Sequence, residues 1–281
     1  MVTGANGQLA SLTLAELTAR GIPAVGGSRT PAAGQRLLDF DDPATLDLAG
    51  TTTLVLVSAG YAEDDLVIAR HQAVLDAAVR DGVGHVIYTS LTGAGDHLSF
   101  ALAHRATEHL LKTSGLTWTI LRNGLYAELF GALIAWSSNG LESPFGTGRL
   151  SAVARKDLAA VTATIAQAPA VHANTTYDLV GDPISANDVA TRLGVTHQTL
   201  PLAEYRSQLL PDPTLLPFQP PMLASIATTI RHGFLNTSTP DLAALLDRPR
   251  TDPILVAANT LSAKLSPAVR PHSSGDRASV S

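Results

Sequence analysis

Short apolar runs alternate with longer amphipathic stretches through the first two thirds of the chain. The strand-like runs are residues 23–28, 53–58 (TLVLVS), 85–90 (HVIYTS), 118–122 (WTILR) and 176–179. Between them, residues 8–20, 66–80 and 100–113 carry apolar side chains at helical spacing. Strands that are apolar on both faces must be covered on both sides, which predicts βαβ units around a parallel sheet. The fold class expected is a doubly wound α/β sheet. Its opening strand, residues 1–3, is either unusually short or clipped.

After about Gly181 the alternation decays. Ser185, with Asp188 three residues on, marks a helix start. Helical segments follow at 203–209 and 223–232, and Thr239 with Pro240 starts another. Pro211, Pro213, Pro217, Pro220 and Pro221 interrupt any regular element, so residues 211–221 read as a rigid loop on the surface or over a site. This third is expected to be a smaller, mostly helical lobe. The polar end of the chain, residues 266–281, has little to bury and is expected to be disordered.

The 281 residues are 45% hydrophobic and 15% charged, below the roughly 25% charged of ordinary globular proteins, so the chain can bury a large core. The net charge is −5 and only Lys112, Lys156 and Lys264 are lysines, which removes the cationic footprint of a nucleic-acid binder. Without cysteine there is no disulfide frame, thiolate metal site or thiol nucleophile. Residues 1–4 contain no positive leader segment, and no run of about 18 apolar residues follows, so the expected setting is cytoplasmic and off the membrane.

Residues 2–10, VTGANGQLA, join a strand end, a glycine turn and a helix start. Gly4 permits the turn, Gly7 lets backbone amides approach a pyrophosphate, and Ala10 allows close packing of helix on strand. Opening the first helix of a βαβ series gives the pattern its dinucleotide-binding, Rossmann context. The second strand ends in Gly26-Gly27-Ser28-Arg29, without the acid that would bind a ribose 2′-hydroxyl. Arg29 either pairs with a 2′-phosphate, favouring NADP(H), or is a solvated loop charge. Residues 1–128 and 171–182 are accordingly assigned to an NADP(H)-binding domain, and 129–170 with 183–265 to a substrate-side lobe.

None of Tyr61, Tyr88, Tyr126, Tyr177 or Tyr205 has a lysine four residues on, so the Tyr-x-x-x-Lys pair of carbonyl reductases is absent. No Gly-x-Ser-x-Gly, His-Glu-x-x-His or Walker loop occurs. Where that pair would lie, His104 and Glu108 stand at i and i+4, placed to bond each other and line a nicotinamide site, or only to help packing. A neutral histidine there could deliver a proton.

The glycine turn, Asp39-Phe40, HVIYTSL, His104-x-x-x-Glu108 and residues 121–128 (LRNGLYAE) resemble the NmrA-like atypical short-chain dehydrogenases, and within them the bacterial type-2 NAD(P)H:quinone oxidoreductases. The likeness spans roughly residues 1–265 and includes 146–157 (GTGRLSAVARKD), 177–182 (YDLVGD), 233–235 and 245–249. It implies that Gly4, Ala5, Asn6, Gly7, Gln8 and Leu9 hold the pyrophosphate, Arg29 the 2′-phosphate, and Asp39 and Phe40 the adenine edge. Ser58, Ala59 and Gly60 would lie beneath the nicotinamide half. Asn123, Gly124, Leu125, Tyr126, Ala127 and Glu128 would line the substrate pocket. The activity implied is hydride transfer from NADPH to a quinone or similar electron-poor aromatic, without metal or flavin. Asn123 and Tyr126 would bond the acceptor, with water or His104 supplying the proton. The family also contains redox sensors that bind NADP(H) without consuming it, which is the alternative reading.

Overall fold

The computed structural model describes residues 1–59 and 62–264. In chain order, β1 (Val2–Thr3), α1 (Gln8–Ala19), β2 (Gly26–Ser28), β3 (Arg36–Leu37), β4 (Thr53–Val57), α2 (Asp64–Arg80), β5 (His85–Leu91), α3 (Ala101–Thr113) and β6 (Trp118–Asn123) build most of the main sheet. Then come α4 (Ala127–Leu133), β7 (Ala135–Ser137), β8 (Gly140–Ser143), β9 (Arg149–Ala152), α5 (Arg155–Gln167) and β10 (Thr175–Leu179). The chain continues through β11 (Asp182–Ser185), α6 (Ala186–Leu193), β12 (His197–Thr199), α7 (Leu202–Leu209), α8 (Gln219–Arg231), α9 (Asp241–Leu245) and α10 (Pro253–Ala263). Seven parallel strands lie in the order β3-β2-β1-β4-β5-β6-β10, which is the doubly wound sheet expected.

Strand alternation sends successive side chains to opposite faces. Leu54, Leu56, Val86, Tyr88 and Ile120 pack with Val74, Leu75 and Ala78 of α2 and Leu111 of α3. Val2, Val55, Ile87, Leu121 and Leu179 share the opposite cluster with Leu9 and Leu17 of α1 and with Leu158, Val161 and Ile165 of α5. Thus α5, inside the 129–170 stretch, covers the sheet. β1 is two residues long, yet it pairs with β2 through Val2↔Gly26 and with β4 through Val2↔Val55. The Met1 ammonium donates to Thr53 O at 2.7 Å, extending that seam by one residue.

The second lobe has its own apolar cluster, in which Phe130 stacks on Phe145 with ring centroids 4.9 Å apart. Its helices are accompanied by five short strands that the sequence did not announce: β9 with β11, and β7, β8 and β12 in a three-stranded sheet. The Ser185 start is a full capping box with Asp188. Two expectations are corrected. Pro220 and Pro221 belong to the first turn of α8, where a missing N–H costs nothing, so the irregular segment is shorter than 211–221. Thr239 does not cap α9; its hydroxyl donates to Asp178 O and ties that helix to the edge of the sheet. The 266–281 segment lies outside the described residues.

Helix α4 presses its backbone on α10 at Gly131, where a Cβ would stand 2.3 Å from Ala257 O. Backbone cannot rotate aside as a side chain can. Gly131→Ala is expected to lower stability by about 1–3 kcal/mol through overpacking, read as a lower urea midpoint at unchanged slope.

Candidate functional site

In a doubly wound sheet, ligands bind in the crevice outside the carboxyl ends of the strands where the strand order reverses. Here that point lies between β1 and β4. After β1, Gly4 adopts φ +64°, and Gly7 N donates to Gly4 O at 2.7 Å. A Cβ on Gly7 would stand 3.1 Å from that oxygen. Gly7 is also the extended N-cap of α1 and brings no side chain to cap it, leaving the first-turn amides to an external anion. Ala5 and Leu9 are buried, while Asn6 and Gln8 are exposed. Asn6 Nδ2 donates to Ser28 Oγ at 2.9 Å and Thr30 O at 2.8 Å, clamping the glycine turn to the end of β2. Arg29, between those two partners, is exposed and joins no ion pair among the described residues. Beyond β3, Thr45 Oγ1 accepts from Asp39 N at 2.8 Å, and Phe40 is half-buried. Gly turn, Arg29 and the Asp39-Phe40 loop thus follow adjacent strands along one edge.

At the end of β4 three successive amides are taken by side chains. Val57 N donates to Thr3 Oγ1 at 2.9 Å, Ser58 N to Thr89 Oγ1 at 3.0 Å, and Ala59 N to His71 Nε2 at 3.0 Å. Ser58 and Ala59 can therefore serve as a floor but not as amide donors to a ligand. Ser58 Oγ is buried without a partner among the described residues. Gly60 lies outside the described residues.

At the end of β6, Asn123 is 4% exposed and its Oδ1 has no partner among the described residues. A buried, unpaired amide oxygen is a costly feature that a ligand can relieve. Tyr126 packs in the same apolar cluster as Leu9 of the glycine turn, with the Arg155 guanidinium 4.2 Å above its ring. Burial pushes the Tyr126 phenol up, keeping it protonated. Gly124 donates its amide to Leu179 O at 2.8 Å, and a Cβ there would crowd Leu179 O at 3.2 Å and Ser151 O at 3.3 Å. The remaining residues of this run pack against the second lobe. Leu125 and Ala127 are buried in the lobe's core. Glu128 turns its carboxylate onto Arg155 N at 3.1 Å, satisfying the start of α5.

These elements fit a dinucleotide, with a glycine cradle, an uncapped helix start and two orphaned polar atoms along one edge. A model of NAD(P)H-binding proteins matches residues 4–169. The chain belongs to this NAD(P)H-binding family. Within it, the chain is 31% identical over 278 residues to Quinone oxidoreductase 2 of Escherichia coli strain K12, covering 89% of this chain and 94% of that one. It is 36% identical over 140 residues to the NmrA-like family domain-containing oxidoreductase flvB of Aspergillus flavus, covering 46% of this chain and 45% of that one. Among solved structures it is similar to the Citrobacter sp. triphenylmethane reductase complexed with NADP(H). That likeness has a TM-score of 0.82 at 27% identity over 92% of this chain and 98% of that one. No helix among the described residues is long and apolar enough to cross a membrane.

His104 and Glu108 do not bond each other, although both lie on α3. His104 Nδ1 is 3.0 Å from the Tyr88 hydroxyl, and burial, with the Arg105 charge, brings its pKa down to about 4. At neutral pH this imidazole is a neutral hydrogen-bonding group, so it holds no stored acid. Glu108 instead accepts from Arg122 at 2.7 and 2.9 Å, Arg105 at 2.8 Å and Ser90 at 2.6 Å. Burial alone would raise the Glu108 carboxyl, but the Arg122 and Ser90 hydrogen bonds and the two guanidinium charges outweigh it and hold the group below its ordinary 4.5. The residues that sequence reasoning missed are Thr3, His71, Thr89 and Arg155. Nothing local marks them, because each acts on a main-chain group or ring distant in sequence. A surface recess of about 540 Å³ beside Thr53, His85 and Thr117 lies at the opposite, amino edge of the sheet and takes no part in this site.

Glu108→Gln should expose the role of this carboxylate. Its loss leaves Arg122 without its anion and Arg105 with only the exposed Asp96, each arginine being about a quarter exposed, and an expected cost of about 2–3 kcal/mol at pH 7 allows for that exposure. A depressed carboxyl contributes stability above its unfolded value near 4.5 and loses it as pH falls through the lower folded value. The gap between wild type and variant, read by urea unfolding, should therefore be full at pH 7 and close on the acid side of 4.5.

Proposed function

We propose that this NAD(P)H-dependent oxidoreductase prefers NADPH and passes hydride to a quinone or similar electron-poor aromatic acceptor. The observation that carries the reading is Asn123, a buried amide with an unpartnered oxygen at the carboxyl end of β6, on the same edge of the sheet as the glycine cradle after β1. The likeness to proteins described as a quinone oxidoreductase and a triphenylmethane reductase supports an aromatic acceptor. NADPH, when bound, supplies the hydride. Gly4, Ala5, Asn6, Gly7, Gln8 and Leu9 hold the pyrophosphate, Arg29 the 2′-phosphate, and Asp39 and Phe40 flank the adenine. Ser58 and Ala59 form the floor at the reacting end.

A quinone is already electron-poor, so the protein must mainly hold two flat rings at attack distance and stabilise a developing phenolate. The unpartnered Asn123 Oδ1 accepts from a donor on the bound ligand, while Asn123 Nδ2 and the Tyr126 hydroxyl donate to that phenolate oxygen. Tyr126 can do so because burial keeps its proton on. His104, neutral beside Tyr88, adds a polar contact, and the proton comes from water. This chemistry dispenses with the Tyr-x-x-x-Lys acid. Phe100, the residue before α3, and His104 have their rings 6.4 Å apart and offer aromatic surface there.

The test is initial-rate oxidation of NADPH and of NADH with a panel of simple quinones. Wild type is expected to favour NADPH, and Arg29→Ala to lose about tenfold to a hundredfold of that preference, the worth of one hydrogen bond to a charged group. Asn123→Ala is expected to lower kcat by about a hundredfold, as when one oxyanion donor is removed. Unchanged quinone turnover and NADPH affinity in Asn123→Ala would remove that residue from the site. Tight NADPH binding without any turnover in wild type would move the protein to the sensing class.

A further inference from the structure

We propose that His71 is a positioning residue that sets the floor beneath the nicotinamide end of the cofactor, resting on the placement of that end given above. The residue is fully buried in α2 and touches no solvent. Its two ring nitrogens have different partners. Ala59 N–H donates to Nε2 at 3.0 Å, which makes Nε2 an acceptor and puts the proton on Nδ1. Nδ1 then donates to Thr107 Oγ1 at 2.8 Å, and Thr107 in turn donates to Ala103 O at 2.8 Å. Every donor in the chain has one acceptor, so the neutral tautomer is fixed by the network. Burial, with the His104 and Arg70 charges, lowers the imidazole pKa to about 3, and the ring keeps this form throughout the physiological range.

The reason for a histidine here lies in the sheet. β4 ends at Val57, where β1 has already turned away into the glycine loop, so the next amides lose their backbone acceptors. Thr3 and Thr89 reach the first two from neighbouring strands. Ala59 is beyond the reach of either strand, and the imidazole spans the gap from α2. It thereby fixes the last described floor residue to α2 and, through Thr107, to α3 one turn from His104. A change at His71 should therefore be felt at the nicotinamide end of the cofactor and not at the adenine end, which is held by β1, β2 and β3.

The experiment compares wild type, His71→Leu and His71→Gln for equilibrium binding of NADPH and of adenosine 2′,5′-bisphosphate, followed by kcat and KM with a quinone. Leucine removes the acceptor, and glutamine restores an acceptor and a donor on one planar group. His71→Leu is expected to weaken NADPH binding about tenfold, the worth of one net hydrogen bond, with adenosine 2′,5′-bisphosphate unchanged and His71→Gln recovering most of the loss. Equal weakening of both ligands, or no weakening of either, would overturn the proposal. Because the readout is binding, a wild type that oxidises no quinone would sink the proposed function and leave this inference standing. Should His71→Leu fail to fold, Thr107→Val removes the Nδ1 acceptor instead, and the same split between the two ligands is expected. Imidazole ¹⁵N shifts of wild type should show Nδ1–H and unprotonated Nε2 from pH 5 to 8, and the opposite tautomer or a titration in that range would equally overturn it.

Discussion

Parallel strands that part company leave main-chain N–H groups without acceptors, and that constraint governs the centre of this molecule. β1 pairs for only two residues before Gly4 turns the chain toward α1, so β4 outruns its neighbour on that side. An unpaired buried amide costs as much as a lost hydrogen bond. The structure answers with side chains from three elements, Thr3, Thr89 and His71, one for each amide from Val57 to Ala59. That divergence lies at the point where the strand order reverses, and the glycine turn stands there at the carboxyl end of β1. Site and constraint have one origin.

On the other side of β5 the problem is charge. Arg105 and Arg122 are brought close by α3 and β6, and two guanidinium groups at that distance need an anion between them. Glu108 supplies it and is 4% exposed in doing so. Arg105 further donates to Leu91 O and Thr92 O, so the cluster fixes the carboxyl end of β5 where it enters the loop before α3. This is why Glu108 cannot bond His104 although their spacing on the helix allows it. Three charge-assisted hydrogen-bonding partners outweigh one i, i+4 contact of a few tenths of a kcal/mol.

The main sheet was legible because periodicity speaks directly about burial. TLVLV and HVIYTSL are apolar on both faces and proved to be buried central strands. Ser185 with Asp188 announced a capping box because both partners lie within one turn. The short strands of the second lobe were silent. β7 and β8 contain Ser137, Gly140 and Ser143, and strands of three or four residues with such composition carry no period to count. The glycine turn was readable for its local geometry, whereas the work of Glu128 on α5 and of His71 on Ala59 was not. Each links residues whose proximity is created by folding, and a histidine in an amphipathic helix has no local mark of what it will accept.

The two histidines facing each other across this region differ in what their surroundings permit. His71 has both nitrogens committed, to Ala59 N and Thr107 Oγ1, and so can only hold position. His104 has Tyr88 at Nδ1 and lies one residue beyond Ala103, whose carbonyl ends the chain of bonds that begins at Ala59. Both are kept neutral by burial, which removes positive charge from the floor of the crevice. A neutral floor suits hydride transfer, because a cation placed beneath a nicotinamide ring would oppose the positive charge that ring acquires as hydride leaves. The cations lie elsewhere: Arg29 is exposed after β2, and Arg155 at the start of α5 spreads its charge over the Tyr126 ring 4.2 Å away and faces the Glu128 carboxylate.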